Sequence, residues 1–201
     1  MDYSKYQKSR DLSWQILLDS NIGILPIKIS EICKIYSIRM VRYSTAEKLF
    51  KQFHLNDRAD ANDGFTFDNV IFYNDSQTKK RQRFTVAHEL GHILLHNGNG
   101  IYNREPSTND NPIEQEANVF ASRLLAPACV LWGLGVTTAQ QISDTCNISI
   151  QSAEFRMERL KLLYAREVEH LKKYGRSCFL LSSKEQAVYN QFLLYIKENK
   201  L

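Results

Sequence analysis

Two histidines four residues apart, with a glutamate beside the first, constrain the fold more than any other feature of the sequence. They lie in His88-Glu89-Leu90-Gly91-His92, and residues at positions i and i+4 project from one face of an α-helix. Both imidazoles can then reach one metal ion, while Glu89 is placed beside it as a candidate general base. Ala87 and Gly91 are small, so a neighbouring element can approach this helix closely. The pattern predicts a buried metal-binding helix, and the alternative is a helix with two partly buried histidines.

A zinc site that performs chemistry has three protein ligands and an open position for water. His96 continues the i+4 series, but it lies about 12 Å along a helix axis from His88, too far for three histidines of one straight helix to share an ion. We expect His96 to cap the end of the helix or to contact a metal ligand without binding the ion itself. A third histidine six residues beyond His92 is excluded, because Gly98 occupies that position. The third ligand is therefore expected from another element.

The nearest candidate element is an acidic helix that begins at Asn111-Pro112. Glu114 and Asn118 are four residues apart, so a carboxylate could bind the ion while the amide orients a ligating histidine. Glu114 could instead occupy the N3 position of a capping box. Spacing alone leaves Glu114 and Glu116 equal as candidates for the third ligand.

Composition indicates an ordinary globular chain. The 201 residues are 43% hydrophobic and 24% charged, which suits one domain, or one domain with a small appendage, and does not indicate disorder. The N-terminus lacks a signal-peptide core, and no apolar run approaches membrane-spanning length. The four cysteines are widely spaced and form no C-x-x-C pair, which argues against a zinc ribbon or a disulfide framework. We predict a cytoplasmic protein with reduced thiols and no membrane partner.

Hydrophobic periodicity predicts an α+β fold, mostly helical, with a small antiparallel sheet and a helical C-terminal region. Residues 54–64 and 97–109 are polar and are expected to be loops. The predicted strands are 38–43, 65–67 and 70–73, the last two joined by Asp68-Asn69 as a tight hairpin. The predicted helices are 4–20, 29–36, 46–53, 76–96, 112–126, 137–145, 149–164 or somewhat beyond, and 184–199.

Two motifs in order resemble the ImmA/IrrE metallopeptidases. The first, Arg83–His96, contains the H-E-L-G-H segment, and the second, Glu114–Pro127, reads E-x-x-A-x-x-F-A and then L-L-x-P. The similarity covers about residues 64–160, half of the chain, and the order of the two motifs makes it specific. It implies a zincin-like metallopeptidase core with N-terminal helices over residues 1–135. It also implies a helical C-terminal region over residues 136–201.

The resemblance also implies roles for individual residues. In that family the first glutamate of E-x-x-A is the third zinc ligand, which corresponds to Glu114 beside His88 and His92. The implied cofactor is Zn²⁺, and the implied activity is that of a zinc metallo-endopeptidase in which Glu89 acts as the base. Such enzymes cleave a helix-turn-helix transcriptional repressor and so release genes of a mobile element or a stress response. The implied partner is therefore a protein substrate, and the substrate expected from the resemblance is a helix-turn-helix repressor.

The sequence does not settle which residues stabilise the oxyanion or which strand binds the substrate. An oxyanion-stabilising group besides the metal is expected, and Tyr73, Tyr102 and His170 are candidates for it. The strand 70–73 is a candidate to pair with an extended substrate by strand addition.

Residues 139–160 are similar to the helix-turn-helix-like part that follows the core in many members, and this supports an alternative function. In it, the chain is a DNA-binding regulator whose recognition helix is 149–160. All the excess positive charge lies in residues 154–201, which hold ten Lys/Arg against six Asp/Glu, and this basic tail would contact phosphate. Glu154 and Glu158 weaken this alternative, because they interrupt the basic residues of that helix. A repressor-binding protein without proteolysis is a further alternative, against which the intact Glu89 argues.

Overall fold

The predicted α+β, mostly helical fold is confirmed. The computed structural model describes residues 6–96, 111–175 and 181–201, and within them it has eleven helices and three strands. The strands are β1 (Arg39–Arg42), β2 (Gly64–Phe67) and β3 (Val70–Tyr73). The helices are α1 (Gln7–Asp19), α2 (Ile29–Ile35), α3 (Tyr43–Phe53), α4 (Asn56–Ala61), α5 (Lys79–His96), α6 (Pro112–Leu125), α7 (Ala128–Gly133), α8 (Ala139–Cys146), α9 (Ile150–Tyr174), α10 (Ser183–Gln191) and α11 (Leu193–Asn199).

The chain packs as two compact units that do not follow sequence order. The first comprises Met1–Ser13 and Lys28–Ala121, and the second comprises Trp14–Ile27 and Ser122–Leu201. The domain limits of 1–135 and 136–201 stay a prediction.

The sheet of the first unit is mixed rather than purely antiparallel. The predicted hairpin is present, with β2 antiparallel to β3, but β1 pairs with β3 in parallel to give the order β1-β3-β2. The chain between β1 and β3 contains α3, α4 and β2, which supplies the long crossover that parallel pairing needs. Because β3 is paired on both sides, strand addition to it is not possible. That expectation was wrong, and the edge strands are β1 and β2.

The two faces of the sheet pack against different elements. Phe65 and Phe72 are register partners whose rings stack at 5.1 Å, and Phe50 of α3 packs on them. The opposite face meets α5 at Gly64, because a Cβ on Gly64 would overlap Thr85 Cγ2. Side chains alternate between the faces of a strand, so the aromatic core and α5 lie on opposite sides of β2.

Three details of the secondary structure were not predicted. Helix α4 lies in the stretch 54–64 that was expected to be a loop, and α7 follows Pro127 where no helix was expected. The predicted single helix 184–199 is two helices, α10 and α11, separated at Phe192. The predicted loop 97–109 lies outside the described residues.

Close packing between α5 and α6 depends on a glycine. A Cβ added to Gly91 would lie 2.9 Å from Phe120 Cδ1 and 3.3 Å from Ala117 Cα, both on α6. Phe120 and Ala117 are fully buried, so neither can move into solvent to make room. The absence of a side chain at Gly91 therefore sets how near α6 comes to α5.

We expect Gly91→Ala to destabilise the protein despite the higher helix propensity of alanine. The propensity gain is about 1 kcal/mol, whereas overpacking a filled core costs about 1–3 kcal/mol. Urea unfolding should show a net loss of stability, with the midpoint moved to a lower concentration. A midpoint equal to or above that of the parent chain would show that α6 can move away without cost.

Side-chain hydrogen bonds to backbone carbonyls link separate segments of the second unit. Arg156 of α9 donates from Nε and Nη2 to the carbonyl oxygen of Ala126, at 2.9 and 2.8 Å. Gln191 Nε2 donates to the carbonyl oxygens of Leu17 and Ile22, at 2.8 and 2.6 Å. These bonds satisfy carbonyls at helix ends and turns that have no partner within a helix.

Helices α8 and α9 contain the segment 139–160 that is predicted to be helix-turn-helix-like. Thr138 and Gln141 form a capping box at the start of α8, and Asn147 ends it in a left-handed conformation with φ of 52°. Ser149 then caps α9 by accepting a bond from the Ser152 N–H. The capping residues thus fix the turn between the two helices.

The cysteines in the described ranges are thiols rather than disulfides. Cys33, Cys129 and Cys146 are buried and form no disulfide, whereas Cys178 lies outside the described residues. Burial raises the pKa of Cys33 and of Cys129 to about 12, so these two thiols are protonated at neutral pH. Among the helices that the structure describes, none has both the length and the apolar character needed to cross a membrane.

Candidate metal centre

The two histidines of α5 face each other as their spacing predicts. The Nε2 atoms of His88 and His92 are 3.0 Å apart, and the ring centroids are 4.6 Å apart at an interplanar angle of 78°. Both side chains are largely buried. The helix therefore presents two imidazole nitrogens to the same point.

Glu114 is the carboxylate that completes this group. Its Oε2 lies 3.2 Å from His88 Nε2, and its Oε1 lies 3.3 Å from His92 Nε2. Glu116, the other candidate, points instead to His96, with 3.5 Å between Oε2 and Nε2. In the described part of the chain, His88, His92 and Glu114 form a group of side chains that could hold a metal ion.

The spacing of the three ligand groups suits a small tetrahedral ion. Zinc binds imidazole nitrogen and carboxylate oxygen at about 2.0–2.2 Å, so neighbouring ligand atoms of a tetrahedron lie about 3.3 Å apart. The two imidazole nitrogens, 3.0 Å apart, are close to that spacing, and each of them has a different oxygen of the Glu114 carboxylate at 3.2 or 3.3 Å. Two nitrogens and one oxygen are also a common ligand set for zinc sites that keep a position open. The residues present therefore fit a zinc ion.

Asn118 fixes the orientation of the first histidine. Its Oδ1 lies 2.9 Å from His88 Nδ1, one helical turn after Glu114 on α6. With the amide oxygen as acceptor, the proton of His88 is on Nδ1, which leaves the Nε2 lone pair directed at the group. The sequence spacing anticipated this contact.

Glu89 is buried next to the group, although it is not a member of it. Its side chain is on the side of α5 that faces β2, where a Cβ on Gly64 would lie 3.5 Å from Glu89 Cγ. Only 2% of Glu89 is exposed. Gly64 is a residue of this site that sequence reasoning missed, although a glycine at the start of a strand signals close approach of another element.

His96 lies behind the ligand group at the end of α5. Its ring centroid is 5.9 Å from that of His92, and its Nε2 faces Glu116. Burial lowers the pKa of His96 below its usual value, against the opposing effect of Glu116. The expectation that His96 is not a third ligand from the same helix stays a prediction.

The three candidates for oxyanion stabilisation are placed differently. The Tyr73 hydroxyl accepts a bond from Arg42 Nε at 3.3 Å, on the β1 side of β3. His170 lies on α9 in the second unit, with its ring centroid 4.5 Å from that of Tyr174. Tyr102 lies outside the described residues. The role of each of these residues stays a prediction.

Comparison with known proteins agrees with this geometry. Residues 37–158 match a peptidase family described as the IrrE N-terminal-like domain. The match covers more than half of the 201 residues and includes β1 through the first turns of α9. Comparison with curated proteins gives no match.

Proposed function

This chain belongs to the IrrE N-terminal-like peptidase family, and on that basis we propose that it is a zinc-dependent metallo-endopeptidase. Membership implies peptidase activity. The observation that carries the zinc proposal is the convergence of His88, His92 and Glu114, which each offer one ligand atom within 4.8 Å of the other two. The proposed ligands are these three residues.

Each residue of the site has a distinct part in peptide hydrolysis. His88, His92 and Glu114 would hold a zinc ion, whose positive charge would polarise the peptide carbonyl and lower the pKa of water toward about 7. Glu89 accepts a proton from the attacking water on its carboxylate and returns it to the nitrogen of the leaving peptide. Water is thereby added across the C–N bond, and Glu89 ends in the state in which it began. Burial of Glu89 excludes competing water from its carboxylate.

The proposed substrate is a helix-turn-helix transcriptional repressor, and cleavage would release the genes that it represses. Support for this finer proposal comes from the resemblance of the two motifs to the ImmA/IrrE metallopeptidases. A narrow substrate also suits a peptidase of the cytoplasm, where indiscriminate cleavage would damage the cell.

The DNA-binding alternative loses support at its recognition helix, because the basic residues of the range 149–160 face inward. Arg156 is 6% exposed and both of its bonding nitrogens are used on the Ala126 carbonyl. The side chain of Arg159 is 12% exposed, with Nη2 lying 3.9 Å from Glu185 Oε1. These are the basic residues that the proposed recognition helix 149–160 contains. That helix therefore has no exposed basic residue, within the described range 149–160, for contact with phosphate.

We expect Asn118→Ala to weaken zinc binding by about 10–100-fold, because His88 then loses the acceptor that holds its proton on Nδ1. Competition with a chromophoric chelator measures the dissociation constant. Asn118→Asp, which keeps the acceptor, is the matched control and should bind zinc at least as tightly as the parent chain. Equal affinity of Asn118→Ala and the parent would show that the 2.9 Å contact does not orient His88.

A cleavage assay tests the function itself. The purified chain with zinc is incubated with the helix-turn-helix repressor encoded nearest to it, with and without chelator, and with unfolded casein as a second substrate. We expect chelator-sensitive cleavage of the repressor and little cleavage of casein. Rapid cleavage of casein would contradict the narrow specificity, and cleavage that survives complete removal of metal would contradict the metallopeptidase proposal.

A further inference from the structure

The metal-facing side of α5 is bounded by the two elements that pack against this helix. A Cβ on Gly91 would meet Phe120 of α6, whereas Thr85 lies against Gly64 of β2. At 3.6 residues per turn, Gly91 and Thr85 lie about 60° to either side of His88 when the helix is viewed along its axis. We call the part of the helix surface between these two contacts the metal sector, because His88 lies at its centre.

Two residues continue the metal sector towards the N-terminus of α5. Phe84 is one turn before His88 and Arg81 is two turns before it, so both project from the same side of the helix. The Phe84 ring centroid is 6.4 Å from that of His88, and Phe84 is half-buried. Arg81 is more open, with 58% of its side chain exposed. Every residue over 85–93 is buried, so the metal sector becomes accessible at Phe84.

This end of the metal sector presents an apolar surface rather than a net charge. Arg81 is paired with Asp63, whose Oδ2 accepts from Nε at 2.9 Å and lies 2.7 Å from Nη2. The neighbouring basic residues Lys80 and Arg83 lie outside the sector, about 80° and 140° from its centre. An incoming side chain would therefore meet the ring of Phe84, and burial of apolar area on an aromatic ring favours a large apolar side chain.

We infer that Phe84 selects a side chain within two residues of the peptide bond that is cut, and that the selected side chain is large and apolar. The inference rests on the peptidase function proposed above, in which the bond is cut at the metal ligands. One turn of α5, the separation of Phe84 from His88, is about 5.4 Å. Successive residues of an extended peptide are about 3.3 Å apart, so a side chain one or two residues from the cut bond can rest on the Phe84 ring.

Cleavage of a library of short synthetic peptides of diverse sequence tests this inference. The peptides are incubated with the zinc-loaded chain, with and without chelator, and the cut bonds are located by mass spectrometry. We expect a large apolar residue at one fixed position within two residues of the bonds that are cut in a chelator-sensitive manner. Replacing that residue of a cleaved peptide by alanine should lower kcat/KM by at least about tenfold.

Variants of Phe84 test its part in this preference. Phe84→Ala should reduce the preference for the large residue over alanine to within about threefold, whereas Phe84→Leu, which keeps an apolar side chain, should retain most of it. The matched control Phe53→Ala removes an exposed aromatic ring of α3 and should keep the preference of the parent. The preference is a ratio for two peptides on one sample, so loss of folded or zinc-loaded chain does not change it. Fluorescence anisotropy in the Glu89→Gln background, where the peptides bind without being cut, should give affinity ratios in the same order.

The outcomes separate this inference from the proposed function. If the chelator-sensitive cuts show no apolar preference, or if Phe84→Ala keeps the full preference in cleavage or in binding, the inference falls and the peptidase proposal stands. Cleavage of the repressor in the assay described above, without cleavage of any peptide, also overturns the inference, because selection then depends on the folded substrate rather than on one side chain. If the chain cuts neither, the inference and the peptidase proposal fall together.

Discussion

Glu89→Gln is expected to lower the turnover number for peptide hydrolysis by about 10²–10⁴-fold, which is the usual contribution of a positioned general base. Glutamine keeps the size and much of the hydrogen-bonding capacity of glutamate but cannot accept the proton of the attacking water. Since Glu89 is buried against β2 at Gly64, an isosteric amide should disturb the packing little. Zinc content and melting temperature should therefore match those of the parent chain.

The control for this variant is Glu47→Gln, which changes an exposed glutamate on α3 and should leave turnover unchanged. Turnover is measured on the repressor at saturating concentration, and zinc is measured by elemental analysis of the same samples. Undiminished cleavage by Glu89→Gln would remove Glu89 from the mechanism. Loss of zinc together with loss of activity would instead indicate that Glu89 supports the metal site.

Long periodic elements and local turn chemistry account for the parts of the fold that were predictable. Helix α5 carries a sustained apolar stripe, and the hairpin of β2 and β3 is marked by alternation on either side of Asp68-Asn69. In both cases the information lies within a few neighbouring residues. The parallel pairing of β1 with β3 could not be read in this way, because it joins segments separated by two helices and a strand.

The two helices that were missed lack the local pattern on which prediction depends. Helix α4, Asn56–Ala61, is polar, and its position depends on tertiary contacts made by Arg58. The Arg58 guanidinium lies 5.4 Å from the centroid of Phe65, and Nη1 donates to the Thr66 carbonyl at 3.4 Å. Helix α7, Ala128–Gly133, is almost wholly buried and apolar, and such a run does not distinguish helix from strand.

The part of the candidate site that lies on a single helix was predictable from the sequence. His88 and His92 lie on one face of α5 whatever surrounds that helix. The choice between Glu114 and Glu116 instead depends on which face of α6 meets α5. Ala117 and Phe120 pack at Gly91 and so define that face, and Glu114 lies one turn before Ala117 on the same side. Glu116 also reaches α5, but its carboxylate faces His96 at the end of that helix rather than His88 and His92.

The orientation of α6 about its own axis underlies the second large expected effect, which is on zinc content. Glu114→Ala should reduce zinc content from about one ion per chain to a small fraction, whereas Glu116→Ala, its matched control, should keep nearly all of it. His92→Ala should also remove the zinc, because one imidazole and one carboxylate are too few ligands for a tetrahedral site. Elemental analysis after gel filtration measures the occupancy, and circular dichroism checks that each variant is folded.

The reverse ranking of Glu114 and Glu116 would show that α6 presents its other face to the metal. Full occupancy in His88→Ala/His92→Ala would place the zinc site elsewhere in the chain.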